Sequence, residues 1–339
     1  MKPIKPTYVL SFFFLATLSL LMLWIVPELL ILRFFQQLSM DVKQGEVEKL
    51  FQGLRHPKQK VVKNTFDLIE ICVPNEKNLD CVCQHLSDPN PVVRIAAVRL
   101  LGKYREKGSI GVPTLIQNFE KEERILQYFI LQTLEQIGPG SGLAVVLLTE
   151  MLQDKEINFR KKSAEALIAI GSIAGTALPR LVLCQEIFDT DQSVFENALE
   201  SVGPAKSESI PEFLVLLKES SAPKIIQRVL RQLSRMGPEG KSALNRVLEY
   251  LQAEPIVLRC LALEAIANFG VKTQEVQEAV LLQLQAHEGD VRQTACLAIQ
   301  RVGSRRLIPQ LEAIARKDPD SRFRDSLKIA IEKLQEQSE

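Results

Sequence analysis

Between positions 42 and 334, apolar residues recur at helical spacing, and residues 154–171 show the pattern most clearly. Phe159, Leu167 and Ile170 share one face of a 3.6-residue helix, and most of the charged residues between them fall on the opposite face. Gly171 follows at the position where a helix commonly ends with positive φ. Because one such helix cannot shield its apolar face from water alone, the pattern predicts a partner helix on each side.

This stretch is one copy of a repeat. With Arg160 taken as position zero, a glycine stands eleven residues later, and glycines recur in this frame at intervals of 32 to 34 residues: Gly138, Gly171, Gly203, Gly237, Gly270 and Gly303. The residue ten positions after zero is apolar or aromatic in nine units: Ile71, Tyr104, Ile137, Ile170, Val202, Met236, Phe269, Val302 and Leu334. A fixed period of this length indicates a stacked array of helical units.

Each unit contains a second helix, which opens with an apolar-Pro-x-apolar signature in four units, at residues 112–115, 178–181, 210–213 and 308–311. Proline is well tolerated in the first turn of a helix and poorly tolerated later. The unit is therefore predicted as helix A, turn, helix B and stop. The first pair is predicted at residues 42–54 and 60–72.

The repeat resembles the HEAT repeat, in the short HEAT-like form also seen in phycobilin lyases. The resemblance is carried by residues 88–94, Asp-Pro-Asn-Pro-Val-Val-Arg, with Ala97, Leu101 and Gly102 after them, and by residues 258–270 and 291–303. It implies an all-α fold, a right-handed α-solenoid of about nine helical hairpins over residues 42–339, with the B helices on its concave side. It implies little about activity, because this family includes scaffolds, adaptors and a few enzymes.

The N-terminus differs from the repeats. Residues 9–26 form an apolar run interrupted only by Ser11, Thr17 and Ser19, long enough at about 27 Å to cross a bilayer. A cleaved signal peptide and a buried first solenoid helix are the alternatives. No small-x-small cleavage site follows, and the run is apolar on all faces, so an uncleaved transmembrane helix within an anchor domain, residues 1–36, is favoured.

Charge and cysteine content point to opposite compartments. Lys2 and Lys5 precede the run, whereas Arg33 and Lys43 follow it at wider spacing, which favours a cytoplasmic N-terminus with the repeats in a periplasm or lumen. The six cysteines fall in helical patterns as unpaired core thiols, which suits a reducing compartment better. A disulfide from Cys72 to Cys81 or Cys83 is the alternative in an exported domain.

Composition and motifs predict no catalytic centre, cofactor or small-molecule substrate. The net charge of +1 disfavours nucleic-acid binding. His56, His85 and His287 are far apart in the array, and Cys81-x-Cys83 has the wrong spacing for a zinc knuckle, so no metal site is predicted. Deoxyhypusine hydroxylase, built of similar repeats, holds iron with several His-Glu pairs; this chain has one, His287-Glu288.

One set of candidate residues follows the repeat. Arginine occupies position zero in five units, and aspartate lies six residues before three of these: Arg94, Arg160, Arg259, Arg292 and Arg324, with Asp88, Asp154 and Asp318. A regular period favours a structural ladder, in which each arginine satisfies turn carbonyls or an aspartate of its own or the next repeat. The alternative is an anion-binding stripe.

A second set breaks the repeat. Gln192 and Ile226 replace the arginine, whereas Arg228, Arg231 and Arg235 share one face of a B helix and Glu196 and Glu200 lie on the B helix before it. Two interpretations are open: solvated pairing between repeats, with Glu200 bonded to one of the arginines, or a partner-binding patch.

The leading hypothesis is a membrane-anchored HEAT-repeat scaffold or adaptor, not an enzyme, that binds unidentified protein partners on its concave B-helix surface. The alternative, suggested by the lyase-type resemblance, is a bilin lyase-like or assembly-chaperone role for pigment–protein complexes.

Overall fold

The computed structural model describes residues 33, 36–41, 47–187 and 192–336, and within these ranges the chain is helical and contains no β-strand. The predicted transmembrane run at 9–26 lies outside the described residues, as do residues 42–46 at the start of the first predicted A helix. Contacts divide the chain into two compact units, Met1–Ser141 and Gly142–Glu339. Each unit is described by itself.

Nine helical hairpins occupy residues 47–187 and 192–336, which confirms the predicted all-α repeat architecture. The first helices of the pairs carry odd numbers: α1 Val47–Leu54, α3 Leu79–Gln84, α5 Val112–Phe119, α7 Val145–Met151, α9 Leu178–Ile187, α11 Ile210–Glu219, α13 Leu244–Glu249, α15 Gln274–Gln283 and α17 Ile308–Lys317. The second helices carry even numbers: α2 Gln59–Ile71, α4 Pro91–Lys103, α6 Arg124–Ile137, α8 Ile157–Ile170, α10 Gln192–Ser201, α12 Pro223–Arg235, α14 Ile256–Phe269, α16 Gly289–Val302 and α18 Ser321–Glu336.

Helix boundaries follow the predicted punctuation. Proline is the second residue of α5, α9, α11 and α17, where it removes no helical hydrogen bond. Five of the six in-frame glycines have positive φ, as expected for a residue that ends a helix: Gly138, Gly171, Gly203, Gly237 and Gly270. Arg105, in the same frame, also has positive φ, at 53°.

Gly303 does not have the expected positive φ. Its φ of −71° and ψ of 164° are extended, so the prediction is wrong at this position. The reason for glycine here is close approach, because a Cβ would lie 2.4 Å from the carbonyl oxygen of Ile299.

The residue ten positions after zero is buried in eight of the nine hairpins, with Ile71 as the exception at 44% exposed. In the second unit the even-numbered helices pack on one another more closely than the odd-numbered helices do. Fully buried alanines, such as Ala262 and Ala265 of α14, permit this close approach. The even-numbered layer is therefore the tighter side of the stack.

One stretch of the repeats is apolar and long enough to cross a membrane by length and composition. It is Ile157–Gln185, and 56% of its most apolar window is buried inside the protein. The chain does not run through it as one straight helix, because α8 ends at Gly171, whose φ is 73°. The stretch folds as α8, a 3-10 segment and α9, within one unit.

Candidate partner-binding groove

The candidate groove lies in the second unit, where the close packing of the even-numbered helices is interrupted. Helices α12 and α14 pack closely, as do α14 and α16, whereas α10 and α12 pack far more loosely. Helix α9 of the odd-numbered layer contacts α12 instead. The resulting groove has a volume of about 330 Å³ and is lined by Gln185, Glu196, Leu199, Glu200, Arg228, Arg231, Gln232 and Arg235.

All five residues of the predicted patch line this groove. Glu196 and Glu200 are exposed on α10, Arg231 and Arg235 are exposed on α12, and Arg228 is half-buried. Over the described part of the chain, no ion pair is formed by Arg231 or by the two glutamate carboxylates. The groove therefore presents a basic wall, α12, opposite an acidic wall, α10.

The expected ion pair between Glu200 and one of the arginines is wrong. Arg235 donates from Nη1 to the main-chain oxygen of Leu199 at 2.8 Å, and from Nη2 to that of Glu200 at 3.3 Å. These carbonyls belong to the last turn of α10 and lack helical partners. A guanidinium at this position satisfies them, so Arg235 holds the end of the preceding helix.

The same contact occurs elsewhere in the repeat. Arg235 lies nine residues after its position zero, and Lys103, at the equivalent position, donates from Nζ to the carbonyl oxygen of Glu70 at 2.7 Å. Asn268 donates to the carbonyl oxygen of Ser234 at 3.2 Å. Arg235 therefore follows the repeat, whereas Arg231 is the irregular, exposed cation of the groove.

Gln185 lines the groove and was not identified from the sequence. Its side chain is 3% exposed, and its Oε1 atom is buried without a hydrogen-bond partner. A buried acceptor left unsatisfied costs about 1–3 kcal/mol. A partner that inserts an N–H or O–H group into the groove removes this cost.

The regular arginines bond to the turns between helices. Arg94 donates to the main-chain oxygen of Asp88 at 2.8 Å and to the Oε2 atom of Glu122 at 2.8 Å. Arg160 and Arg324 donate in the same way to the main-chain oxygens of Asp154, at 2.9 Å, and of Asp318, at 2.8 Å.

The remaining two regular arginines bond to carboxylates of the following turn. Arg259 makes a bidentate pair with Glu288, with Nη2 to Oε1 at 2.7 Å and Nη1 to Oε2 at 3.2 Å. This pair lowers the pKa of Glu288 and raises that of Arg259. Arg292 reaches the Oδ2 atom of Asp318 at 3.2 Å. All five guanidinium groups are thus engaged by main-chain oxygens or carboxylates.

No disulfide joins the six cysteines, all of which lie within the described residues. Burial raises the pKa of Cys72, Cys83 and Cys260, and it raises the pKa of Cys296 to about 11. A raised pKa removes the thiolate that nucleophilic or redox chemistry needs.

The stacked hairpins and their repeated turn contacts define an α-helical repeat protein. A family model described as HEAT repeats matches residues 244–332, and one described as HEAT repeat matches residues 79–104. No curated protein matches the chain by sequence. The narrower phycobilin-lyase form stays a prediction.

Solved structures that match the chain include an engineered protein, with 17% identity over 89% of this chain and 91% of that one and a TM-score of 0.47. They also include Kap121p bound to Nup53p, with 12% identity over 86% of this chain and 37% of the Kap121p chain and a TM-score of 0.46. Kap121p bound to Pho4p matches with 13% identity over 86% of this chain and 38% of the Kap121p chain, and with a TM-score of 0.47. The chain spans little more than a third of the Kap121p chains it matches.

Proposed function

We propose that this protein is a scaffold that binds a protein partner in the groove between α10 and α12. The observation that carries the proposal is the buried, unsatisfied Oε1 atom of Gln185 in a groove whose charged rim residues Arg231, Glu196 and Glu200 are exposed. On both sides of this gap the even-numbered helices of the second unit pack directly on one another, α8 on α10 and α12 on α14, and so on to α18. Where neighbouring helices of a repeat separate, polar side chains are left without partners from the repeat, and a binding partner can supply their hydrogen bonds.

The walls of the groove define the chemistry of the partner segment. Arg231 offers a guanidinium to a carboxylate, the two glutamates of α10 attract a cation, and Gln185 accepts from an N–H or O–H group. A peptide segment that carries both charge signs satisfies all of these groups. The near-neutral chain, with a net charge of +1, offers no general attraction for nucleic acid, so local complementarity sets the choice of partner.

Attachment to a membrane is the second part of the proposal, and it rests on the apolar run at residues 9–26. A tether of this kind holds the groove beside the bilayer and raises the local concentration of membrane-bound partners. The flanking lysines favour a cytoplasmic N-terminus, with the repeats in a periplasm or lumen.

In-cell cross-linking of the full-length chain tests the groove, with Arg231→Glu compared against Arg316→Glu. Arg316 is 78% exposed on the odd-numbered helix α17, so the same charge change falls outside the groove. We expect the partners captured by the wild type to be lost with Arg231→Glu and kept with Arg316→Glu. Identical capture by both variants would remove the groove as the docking site.

Alkaline carbonate extraction of membranes tests the tether separately. We expect the full-length chain to stay in the membrane pellet, as an integral protein does. Release into the supernatant would rule out the membrane anchor and would not bear on partner binding in the groove.

A further inference from the structure

Three side chains of different ligand type meet on the odd-numbered layer of the first unit. The thiol of Cys81 lies 3.2 Å from the Oε2 atom of Glu48 and 4.0 Å from the Nδ1 atom of His85. One ligand atom from each residue lies within 4.8 Å of the other two. These three residues belong to the first unit, whereas the residues that line the groove belong to the second.

The repeat itself brings the three together. Glu48 on α1 and Cys81 on α3 are 33 residues apart, so they occupy the same position of two successive hairpins and face each other. His85 follows Cys81 by one helical turn. Its ring stacks on Phe51, with centroids 4.0 Å apart and planes 13° apart. Phe51 is fully buried and fixes the plane of the imidazole.

We propose that Glu48, Cys81 and His85 form a binding site for a single Zn²⁺ ion. Thiolate, imidazole and carboxylate are the three protein ligands of Zn²⁺, whereas Ca²⁺ and Mg²⁺ prefer oxygen ligands alone. Tetrahedral Zn²⁺ with ordinary bond lengths separates a sulfur ligand from a nitrogen or oxygen ligand by about 3.5 Å. The two separations of Cys81 Sγ, 3.2 and 4.0 Å, lie on either side of that value, so small side-chain rotations suffice.

Burial of the three residues suits a site with one open position. Cys81 and His85 are half-buried and Glu48 is exposed, so the ion is reached from solvent and keeps a water as its fourth ligand. The site is thus of the three-ligand type, which binds a further group, rather than of the closed structural type.

Binding the ion changes the protonation of the cluster in a defined way. The thiol of Cys81 donates to Glu48, and burial together with this hydrogen bond raises the pKa of Cys81 to about 12. The Nδ1 atom of His85 lies 2.8 Å from the carbonyl oxygen of Cys81. Binding of the ion by Nδ1 requires the ring proton on Nε2, and the thiol proton passes to solvent, so one proton is released per ion.

Cobalt titration of the full-length chain in detergent tests the site, because a Co²⁺–thiolate bond gives a charge-transfer band that other ligands do not give. We expect one equivalent of Co²⁺ to produce the band and Zn²⁺ to abolish it by displacement. Cys81→Ser should eliminate the band, and His85→Gln should weaken binding at least about tenfold. Cys83→Ser is the matched control, since this half-buried thiol lies on the same helix outside the cluster.

Absence of the band in the wild type overturns the proposal, as does a band that survives Cys81→Ser or is lost with Cys83→Ser. Circular dichroism shows whether each variant keeps the helical content of the wild type. Glu48→Gln provides a second test if Cys81→Ser does not fold, because Glu48 is exposed and its substitution disturbs no core packing. Unchanged affinity in Glu48→Gln contradicts the three-ligand site.

Discussion

The carboxylate of Asp318 accepts a hydrogen bond from Arg292 of the preceding hairpin, with Nη1 and Oδ2 3.2 Å apart. The main-chain oxygen of Asp318 accepts another from Arg324 of its own hairpin, at 2.8 Å. One turn residue therefore bonds to two successive regular arginines. The side chains of Asp318 and Arg292 are only 11% and 19% exposed, so this contact is largely shielded from water.

Asp318→Ala should lower the free energy of unfolding by about 1–2 kcal/mol, because it removes a part-buried, charge-assisted hydrogen bond. It also leaves the amide of Asp320, which donates to Asp318 Oδ1 at 2.9 Å, without its acceptor. Urea unfolding followed by circular dichroism measures the change.

Asp325→Ala is the matched control for this substitution. Asp325 follows Arg324 on α18 and pairs with Lys328 at 3.1 Å. Both side chains of this pair are more than two-thirds exposed. We expect its loss to cost less than about 0.5 kcal/mol. Equal effects of the two substitutions would contradict a stabilising role for the turn.

Arg235 and Arg231 should behave differently although they lie on one face of α12. Arg235→Ala removes the donor to the last-turn carbonyls of Leu199 and Glu200 and should destabilise the protein by about 1 kcal/mol. Arg231→Ala removes an exposed side chain and should change stability by less than about 0.5 kcal/mol. Thermal unfolding of the two variants side by side makes the comparison, and equal loss of stability in both would contradict this division of roles.

The architecture was predictable because local backbone rules recur with the period. Pro179 near the start of α9 lacks a backbone N–H group, and Gly171 at the end of α8 adopts a positive φ. Neither property depends on distant contacts. The bonds from the regular arginines to the turns were anticipated for the same reason. Gly303 departs from the rule because the chain after α16 is extended.

The contribution of Gln185 to the groove was not predictable from the sequence. Gln185 lies on an odd-numbered helix and becomes part of the groove only because α10 and α12 separate, and that spacing depends on packing across several hairpins. The Glu48–Cys81–His85 cluster left a clearer signal. Glu48 and Cys81 share one position of the repeat frame, so a comparison of ligand types between successive repeats, rather than a search for short motifs, would have found it.

Acid should weaken one contact between hairpins in a predictable range of pH. The hydrogen bond from Arg259 lowers the pKa of Glu288 below its ordinary 4.5, with a smaller contribution from His287. A carboxylate with a lowered folded-state pKa stabilises the protein above its unfolded pKa, and that stabilisation is lost as the pH falls through the folded pKa. Glu288→Gln should therefore be less stable than the wild type at pH 7, and the difference should shrink below pH 4.5.

Unfolding in urea at a series of pH values measures this difference. Glu312→Gln is a control, because Glu312 pairs with Arg316 near solvent and its pair is 45% and 78% exposed. A difference for Glu288→Gln that stays constant from pH 7 to acid would show that the loss comes from packing and not from the ion pair.

Arg105 stands at the stop position where other repeats place glycine, and its φ of 53° is unfavourable for a residue with a Cβ. Arg105→Gly should stabilise the protein by about 0.5–1 kcal/mol, because relief of this strain exceeds the entropy that glycine adds to the unfolded chain. Arg105→Ala, which keeps the Cβ, should leave stability nearly unchanged.

Gly171→Ala should have the opposite effect to Arg105→Gly, a loss of stability of about 1 kcal/mol. No atom lies within 4 Å of a Cβ at Gly171, so backbone conformation alone accounts for that loss. Thermal unfolding compares the three variants. A loss of stability in both Arg105 variants would show that contacts of the arginine side chain outweigh the backbone strain.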